Sequence, residues 1–185
     1  SDLYSGYYSA NTALLQLRTA HAGLQWEHTE AYFSLDHPIF SPDTPTSLTA
    51  MSEPSLAWSG NLWTWNPQLG VTQRFGPNGA RGFELQAALI DVGDAPLSPA
   101  NTSSSTSTAT PPSNAEQSRW PGIEARIALL GSTVVNTDSR SHFGICGYFA
   151  PHDSSLLGHH FDSWAATLDT RLLLPTQLEF SGSFY

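Results

Sequence analysis

Charged side chains recur at every second position in several parts of this chain. Glu124 and Arg126 are separated by one residue, and so are Asp169 and Arg171. In an extended strand, residues two apart point to the same face, so each pair places a carboxylate beside a guanidinium group. A surface lined with both signs of charge selects among ions and polar solutes. Two carboxylates facing each other across a cleft, such as Glu84 and Glu124, would instead suit glycoside hydrolysis.

The elements that carry these residues are predicted to be β-strands, because apolar and polar side chains alternate strictly within them. Residues 83–89, 123–129 and 178–184 are three such segments, and helical periodicity is nearly absent. An all-β, antiparallel meander of about eight strands is therefore predicted. The first strand is expected at 12–19, continuing through a bulge near Ala22 to residue 27. The others are expected at 31–36, 68–75, 82–91, 122–130, 142–150, 163–174 and 177–185.

Composition narrows the classes of protein that the chain can represent. Of its 185 residues, 39% are hydrophobic and 12% are charged, and the formal net charge is −9. An acidic chain without lysine lacks the basic patch that nucleic acid requires. Cys146 is the single cysteine, which excludes an internal disulfide. Sparse charge with abundant alternation fits either a membrane β-barrel or a β-sandwich with a polar outer face.

The predicted connections alternate between short and long. Those near 28, 76 and 175 are short, 37–66, 93–118 and 150–161 are longer, and 131–141 is intermediate. Outer-membrane barrels have short turns on one side and long loops on the other, and a sandwich has no reason to follow that rule. The chain is therefore interpreted as one barrel domain over 1–185, with 93–118 as a low-complexity external loop. Aromatic residues near the strand ends would form the girdles of such a barrel, namely Trp26, Phe75, Phe143, Phe149, Trp164, Phe180 and Phe184.

The segment after the second predicted strand carries a series of motifs. It contains the proline-rich stretch 40–49, then Ser59-Gly60-Asn61-Leu62-Trp63 and Asn66-Pro67-Gln68-Leu69, and Trp120-Pro121-Gly122 follows later. In this order the motifs resemble the porin superfamily of Gram-negative outer membranes, and the DcaP-like branch in particular, over about residues 14–185. Leu69-Gly70 departs from the apolar-Arg pair usual in that group, so one lumen-facing charge is missing.

The resemblance implies a channel in the cell outer membrane through which small hydrophilic solutes diffuse passively. Such a barrel has about 16 strands, contacts the lipid bilayer and often forms a homotrimer. Because only about eight strands are predicted here, the chain is expected to be an internal fragment of a larger barrel. A transmembrane barrel of eight strands on its own is the alternative. Neither a cofactor nor a nucleic-acid partner is expected.

In a barrel, the polar positions of each strand face the lumen, while the loop that folds inward narrows it. The predicted pore-lining residues are Arg18, Arg74, Glu84, Glu124, Arg126, Asp169, Arg171 and Glu179. The long loop 37–66 is the candidate constriction, with Asp43, Glu53 and Trp58 as the residues that would line it. Solvation of one face of any half-buried strand would explain the same pattern.

Two other classes of function stay open. A soluble, secreted β-sandwich could bind carbohydrate, with Trp58, Trp63 and Trp65 as stacking platforms. A secreted hydrolase ranks last, because the chain has no nucleophile elbow and no glycine-rich phosphate loop. His159-His160-x-Asp162 is a poor metal site, since adjacent histidines on a strand point to opposite faces. No catalytic residue and no metal ligand are therefore predicted.

Overall fold

A computed structural model describes residues 2–4, 14–16, 19–43, 64–76, 82–92, 114–131, 141–154, 158–174 and 178–185. The strands are β1 (Asp2–Tyr4), β2 (Leu14–Gln16), β3 (Ala20–Gln25), β4 (Thr29–Asp36), β5 (Asn66–Phe75), β6 (Gly82–Ile90), β7 (Gly122–Gly131), β8 (Ser141–Ser154), β9 (His159–Leu173) and β10 (Glu179–Phe184). One short helix, α1 (Asn114–Ser118), precedes β7.

Eight of these strands form a single antiparallel meander in the order β3 to β10. Each strand pairs with the one before it and the one after it, which confirms the predicted all-β class and strand count. The sheet is not closed within the described residues. Strand β3 pairs only with β4, and β10 pairs only with β9.

The first predicted strand, 12–19, is wrong in both extent and placement. Its described part, β2, pairs with β1 in a separate two-stranded sheet. The large sheet begins instead at Ala20, and β3 pairs with β4 in unbroken register from Ala20↔Leu35 to Gln25↔Glu30. The change of phase that suggested a bulge near Ala22 therefore marks a boundary between two sheets.

Burial in the large sheet is the reverse of that in a water-soluble protein. On β7, the polar residues Glu124 and Arg126 are 1% and 6% exposed, whereas Ile127 and Leu129, on the opposite face, are 48% and 62% exposed. The same alternation runs along β5, β6 and β8. We call the face that bears Glu124 the inner face and the face that bears Ile127 the outer face.

The connections divide the sheet into a turn end and a loop end, because successive antiparallel strands reverse direction. Residues 26–28, 76–81, 132–140 and 174–178 connect strands at the turn end, and 37–65, 91–121 and 155–158 connect them at the loop end. The prediction of a long connection at 150–161 is wrong. Strands β8 and β9 extend as a paired hairpin from Ala150↔Ser163 to Ser154↔His159, which leaves only 155–158 between them.

One segment from the loop end covers the inner face. Residues 37–43, which follow β4, lie across the sheet, and Ile39 and Phe40 pack with Ala88 and Cys146. Helix α1, which forms the end of the predicted external loop, buries Asn114 and Ala115. The described part of the chain has no helix long and apolar enough to cross a membrane.

Candidate functional site

The predicted pore-lining residues that the structure describes all lie on the inner face. Register places Arg74 opposite Glu84, and Gln86 opposite Arg126. Farther along the sheet, Asp169 lies opposite Gly144 and Arg171 opposite His142. Glu124 and Glu179 belong to the same face by strand alternation. Arg18, Glu53 and Trp58 lie outside the described residues.

Four of these side chains form the first half of a continuous row of ion pairs. Glu84 accepts a hydrogen bond from Arg74 Nε at 2.7 Å, and its other carboxylate oxygen lies 3.7 Å from Arg126 Nη1. Arg126 donates to both carboxylate oxygens of Asp169, with an Nε–Oδ2 distance of 3.1 Å. The Arg126 and Asp169 side chains are 4% and 0% exposed, so this fork is shielded from water. A bidentate arginine–carboxylate pair is also the geometry that fixes both partners most firmly.

The row continues through the segment that covers the inner face. His142 Nε2 lies 3.4 Å from Asp169 Oδ1 and 2.8 Å from Asp43 Oδ2. Asp43 Oδ1 is in turn 3.8 Å from Arg171 Nη1, and Arg171 Nη2 donates to Glu179 Oε2 at 3.1 Å. We call the eight residues from Arg74 to Glu179 the charge chain. Its members are Arg74, Glu84, Arg126, Asp169, His142, Asp43, Arg171 and Glu179.

The segment 37–43, which we call the strap, spans the inner face from β5 to β10. At its start, the carbonyl of His37 accepts a hydrogen bond from Gln68 Nε2 at 2.8 Å. At its middle, the N–H of Phe40 donates to Glu124 Oε2 at 3.2 Å. Ser41 Oγ then lies 3.2 Å from the hydroxyl of Tyr185, just beyond β10. A segment that reaches both β5 and β10 requires a concave inner face.

Asp43, Asp169 and His142 are also close enough to one another to be considered as a metal site, with their ligand atoms within 4.8 Å. All three are already held by ion pairs of the charge chain, and Arg126 and Arg171 bring two positive charges to the same place. A divalent cation would have to displace both guanidinium groups. The arrangement therefore fits a structural ion-pair network better than a metal centre.

Two glycines make room for side chains on the inner face. A Cβ at Gly144 would lie 2.3 Å from Asp169 Oδ2 and 2.6 Å from Arg126 Nη2, so only glycine leaves space for the ion pair. A Cβ at Gly70 would lie 2.4 Å from the ring of Tyr32, which covers this glycine from the neighbouring strand. The tyrosine ring thus occupies the position where the resemblance to porins implied a lumen-facing arginine.

The outer face carries two rows of large apolar residues. Near the loop end, Phe33, Leu69, Leu89, Ile123, Phe149 and Trp164 are aligned by register across six strands. Near the turn end, the rings of Phe75 and Phe83 stack with centroids 4.6 Å apart. All eight of these residues are exposed, and Trp164 is 79% exposed. Because these eight residues are exposed, no second layer of the kind a β-sandwich requires covers them within the described part of the chain.

The tip of the β8–β9 hairpin projects beyond these rows and is polar. His160 Nδ1 lies 2.7 Å from Asp153 Oδ1, and Nε2 lies 3.2 Å from Asp162 Oδ1. The hydrogen bond with Asp153 is the main cause that raises the pKa of His160 above its usual value. Because the cluster is solvent-exposed, its ion pairs are screened. Adjacent His159 occupies the opposite strand face, as the sequence pattern indicated.

Comparisons with protein-family models, with curated proteins and with solved structures found no match to this chain. No family is therefore assigned. The similarity of its motifs to porins remains a hypothesis, and the fold and the site rest on the geometry described above.

Sequence reasoning missed three residues of the site, each for a physical reason. His142 is the first polar residue of a predicted strand, but nothing in its neighbours indicates that it joins Asp43 to Asp169. Gly144 has no side chain, so only the three-dimensional contact shows its importance. Tyr185 lies at the end of an exposed strand, and its contact with the strap connects positions 144 residues apart.

Proposed function

We propose that this chain forms the wall of an outer-membrane β-barrel channel through which small hydrophilic solutes diffuse, without catalysis. The observation that carries the proposal is the reversed burial of the sheet. Charged side chains lie on the inner face under the strap, while leucine, isoleucine and phenylalanine cover the outer face. In water, that outer face would expose a large apolar patch, which monomeric soluble proteins avoid. Against lipid, the same surface is favourable.

Strand length and aromatic placement support a membrane location. Strands β5, β6 and β7 contain 10, 9 and 10 residues, and a tilted strand needs about 9–11 residues to cross a bilayer. The two outer rows, rich in phenylalanine and ending at Trp164, have the positions of interfacial aromatic girdles. The polar hairpin tip beyond Trp164 would then extend past the membrane surface.

The interior supports a narrowed passage. The strap carries Asp43 into contact with His142 and Arg171, so the loop predicted to form a constriction has an acidic residue on the charge chain. The charge chain comprises three arginines, four carboxylates and His142. Its signs nearly balance, which favours polar solutes over strong selection for one sign of ion.

Closure of the barrel is part of the proposal. An eight-stranded barrel has an interior just wide enough for its own side chains. Here the inner face also holds the strap, so we propose a wider barrel of about 16 strands in which β3 and β10 pair with further strands. Assembly into a homotrimer, as the resemblance to porins implies, belongs to the same proposal.

Planar-bilayer recording tests the channel directly. The full-length protein, refolded in detergent, is expected to insert and give discrete conductance steps. Protein refolded with a Gly144→Ala substitution provides a control with a disturbed inner face, for which we expect fewer or less uniform steps. A wild-type protein that stays monodisperse without detergent and gives no steps would contradict the proposal.

A further inference from the structure

A cavity of about 400 Å³ lies between the strap and strands β5 to β9. Its walls include Pro38 and Phe40 from the strap, Glu124 from β7 and Tyr148 from β8. Asn66, at the start of β5, contributes at the rim toward the loop end. The lining is mostly apolar, with a single carboxylate.

That carboxylate differs from the four acids of the charge chain. Glu84, Asp169, Asp43 and Glu179 each contact an arginine or histidine. Glu124 is 1% exposed and accepts the N–H of Phe40, but it has no arginine or histidine ion-pair partner in the part of the chain that the structure describes. Burial of a carboxylate without a counter-charge costs free energy, and a bound cation would recover part of it.

The cavity walls favour an organic cation over a metal ion. Phe40 and Tyr148 contact each other edge to face, with ring centroids 6.1 Å apart, and both line the cavity. Aromatic rings attract ammonium groups through their negative faces. Calcium and magnesium require about six or more oxygen ligands, and among the lining residues only Glu124 supplies a carboxylate.

We propose that this cavity binds a small organic ammonium ion, with Glu124 as its counter-ion and the rings of Phe40 and Tyr148 as its walls. The ammonium group donates hydrogen bonds to the Glu124 carboxylate, while the carbon skeleton occupies the apolar volume. The role of the site, retention of cationic solutes beside the constriction, rests on the proposed channel. Binding itself does not.

Isothermal titration calorimetry of the detergent-refolded full chain tests the site, with benzylammonium as the probe and benzyl alcohol as its neutral analogue. We expect wild-type protein to bind benzylammonium in a 1:1 ratio. Benzyl alcohol should bind at least about tenfold more weakly, since its hydroxyl can donate a hydrogen bond to the carboxylate but carries no positive charge. Equal affinity for the two compounds, or no binding of benzylammonium, would overturn the proposal.

Two matched variants locate the bound ion. Glu124→Gln keeps the side-chain shape and should weaken benzylammonium binding at least about tenfold, whereas Glu27→Gln, which alters an exposed acid at the turn end, should leave it unchanged. If Glu124→Gln does not refold, Phe40→Leu replaces it, with a several-fold loss expected from the missing ring. An unchanged affinity in the variant that refolds contradicts the site.

The channel and the site fail separately in these experiments. Conductance steps from a protein that does not bind benzylammonium would contradict the proposed ammonium site and support the proposed channel. Binding of benzylammonium by a protein that gives no conductance steps would support the ammonium site and contradict the channel.

Discussion

At the scale of single residues, the Arg126–Asp169 pair is the most tightly enclosed interaction of the inner face. Both side chains are almost fully buried, and the guanidinium group contacts Gln86 as well as Asp169. Removal of one partner of a buried pair leaves the other charge without compensation, which costs more than the pair itself contributes.

Arg126→Gln should therefore lower the free energy of unfolding by about 3–5 kcal/mol. Arg74→Gln is the matched control, because the Arg74 side chain is 35% exposed and its pair with Glu84 is partly screened, with an expected loss of about 1 kcal/mol or less. Urea titration of the refolded proteins, followed by tryptophan fluorescence, measures both values. Equal losses in the free energy of unfolding would show that the buried Arg126–Asp169 pair stabilises the fold no more than the partly exposed Arg74–Glu84 pair.

Gly144 allows a second test of the same pair. A methyl group at this position overlaps both Asp169 and Arg126, so Gly144→Ala should destabilise the fold by about 1–3 kcal/mol through overpacking. Gly147 lies three residues further along β8, and a Cβ there meets nothing within 4 Å. Gly147→Ala should accordingly be close to neutral in the same urea titration. A neutral Gly144→Ala would contradict the described position of the ion pair.

At the scale of elements, the strap connects distant strands through a few polar contacts. Asp43 is its ionic contact with β8 and β9, whereas Ser41 and His37 contact the sheet through hydrogen bonds alone. Asp43 therefore determines how firmly the distal end of the strap is held against the inner face.

Asp43→Asn should loosen this end and raise the single-channel conductance, with larger fluctuations in the open state. Glu27→Gln is the control, since Glu27 is exposed at the turn end, whereas the strap begins at the loop end of the sheet. Planar-bilayer recording of the three proteins under one salt condition makes the comparison. Conductance that is unchanged in Asp43→Asn would show that the strap does not limit the passage.

The strands were largely predictable from the sequence, while the tertiary contacts were not. Period-2 alternation placed β4 to β10 within a few residues of their observed bounds, because each strand has one apolar and one polar face. The same pattern put Glu84, Glu124 and Arg126 on one face. It failed at residues 12–19, where β2 alternates equally well but pairs with β1, since pairing partners are not encoded in a local period.

The strap and helix α1 show the other limit of sequence reasoning. The resemblance to porins implied that the loop 37–66 folds inward, and the structure places residues 37–43 across the inner face. Helix α1 spans only five residues, too short for helical periodicity to be detected. The positions that Asp43 and Tyr185 reach depend on the curvature of the whole sheet, which no single segment specifies.

At the scale of the whole molecule, the proposed membrane location depends on what covers the outer face. Ile127 lies in the middle of β7 on that face, between the two apolar rows. Ile127→Arg should destabilise the protein in lipid vesicles by about 2–4 kcal/mol, the cost of a cationic side chain near the bilayer midplane. Asp162→Arg, at the polar hairpin tip, should cost much less. If both variants are equally stable in vesicles, Ile127 does not face lipid.

Site-directed spin labelling tests whether the outer face of the sheet contacts lipid. In a Cys146→Ser background, nitroxides are placed at Ile127 and Ile145, which are paired on the outer face, and at His160 in the hairpin tip. Collision with oxygen, which concentrates in lipid, is compared with collision with a water-soluble nickel chelate in protein reconstituted into vesicles. If the outer face contacts lipid, nitroxides at Ile127 and Ile145 should collide often with oxygen and rarely with the nickel chelate. We expect the reverse at His160. Nickel collision at Ile127 and Ile145 as strong as at His160, or shielding of both positions from both reagents, would contradict contact with lipid.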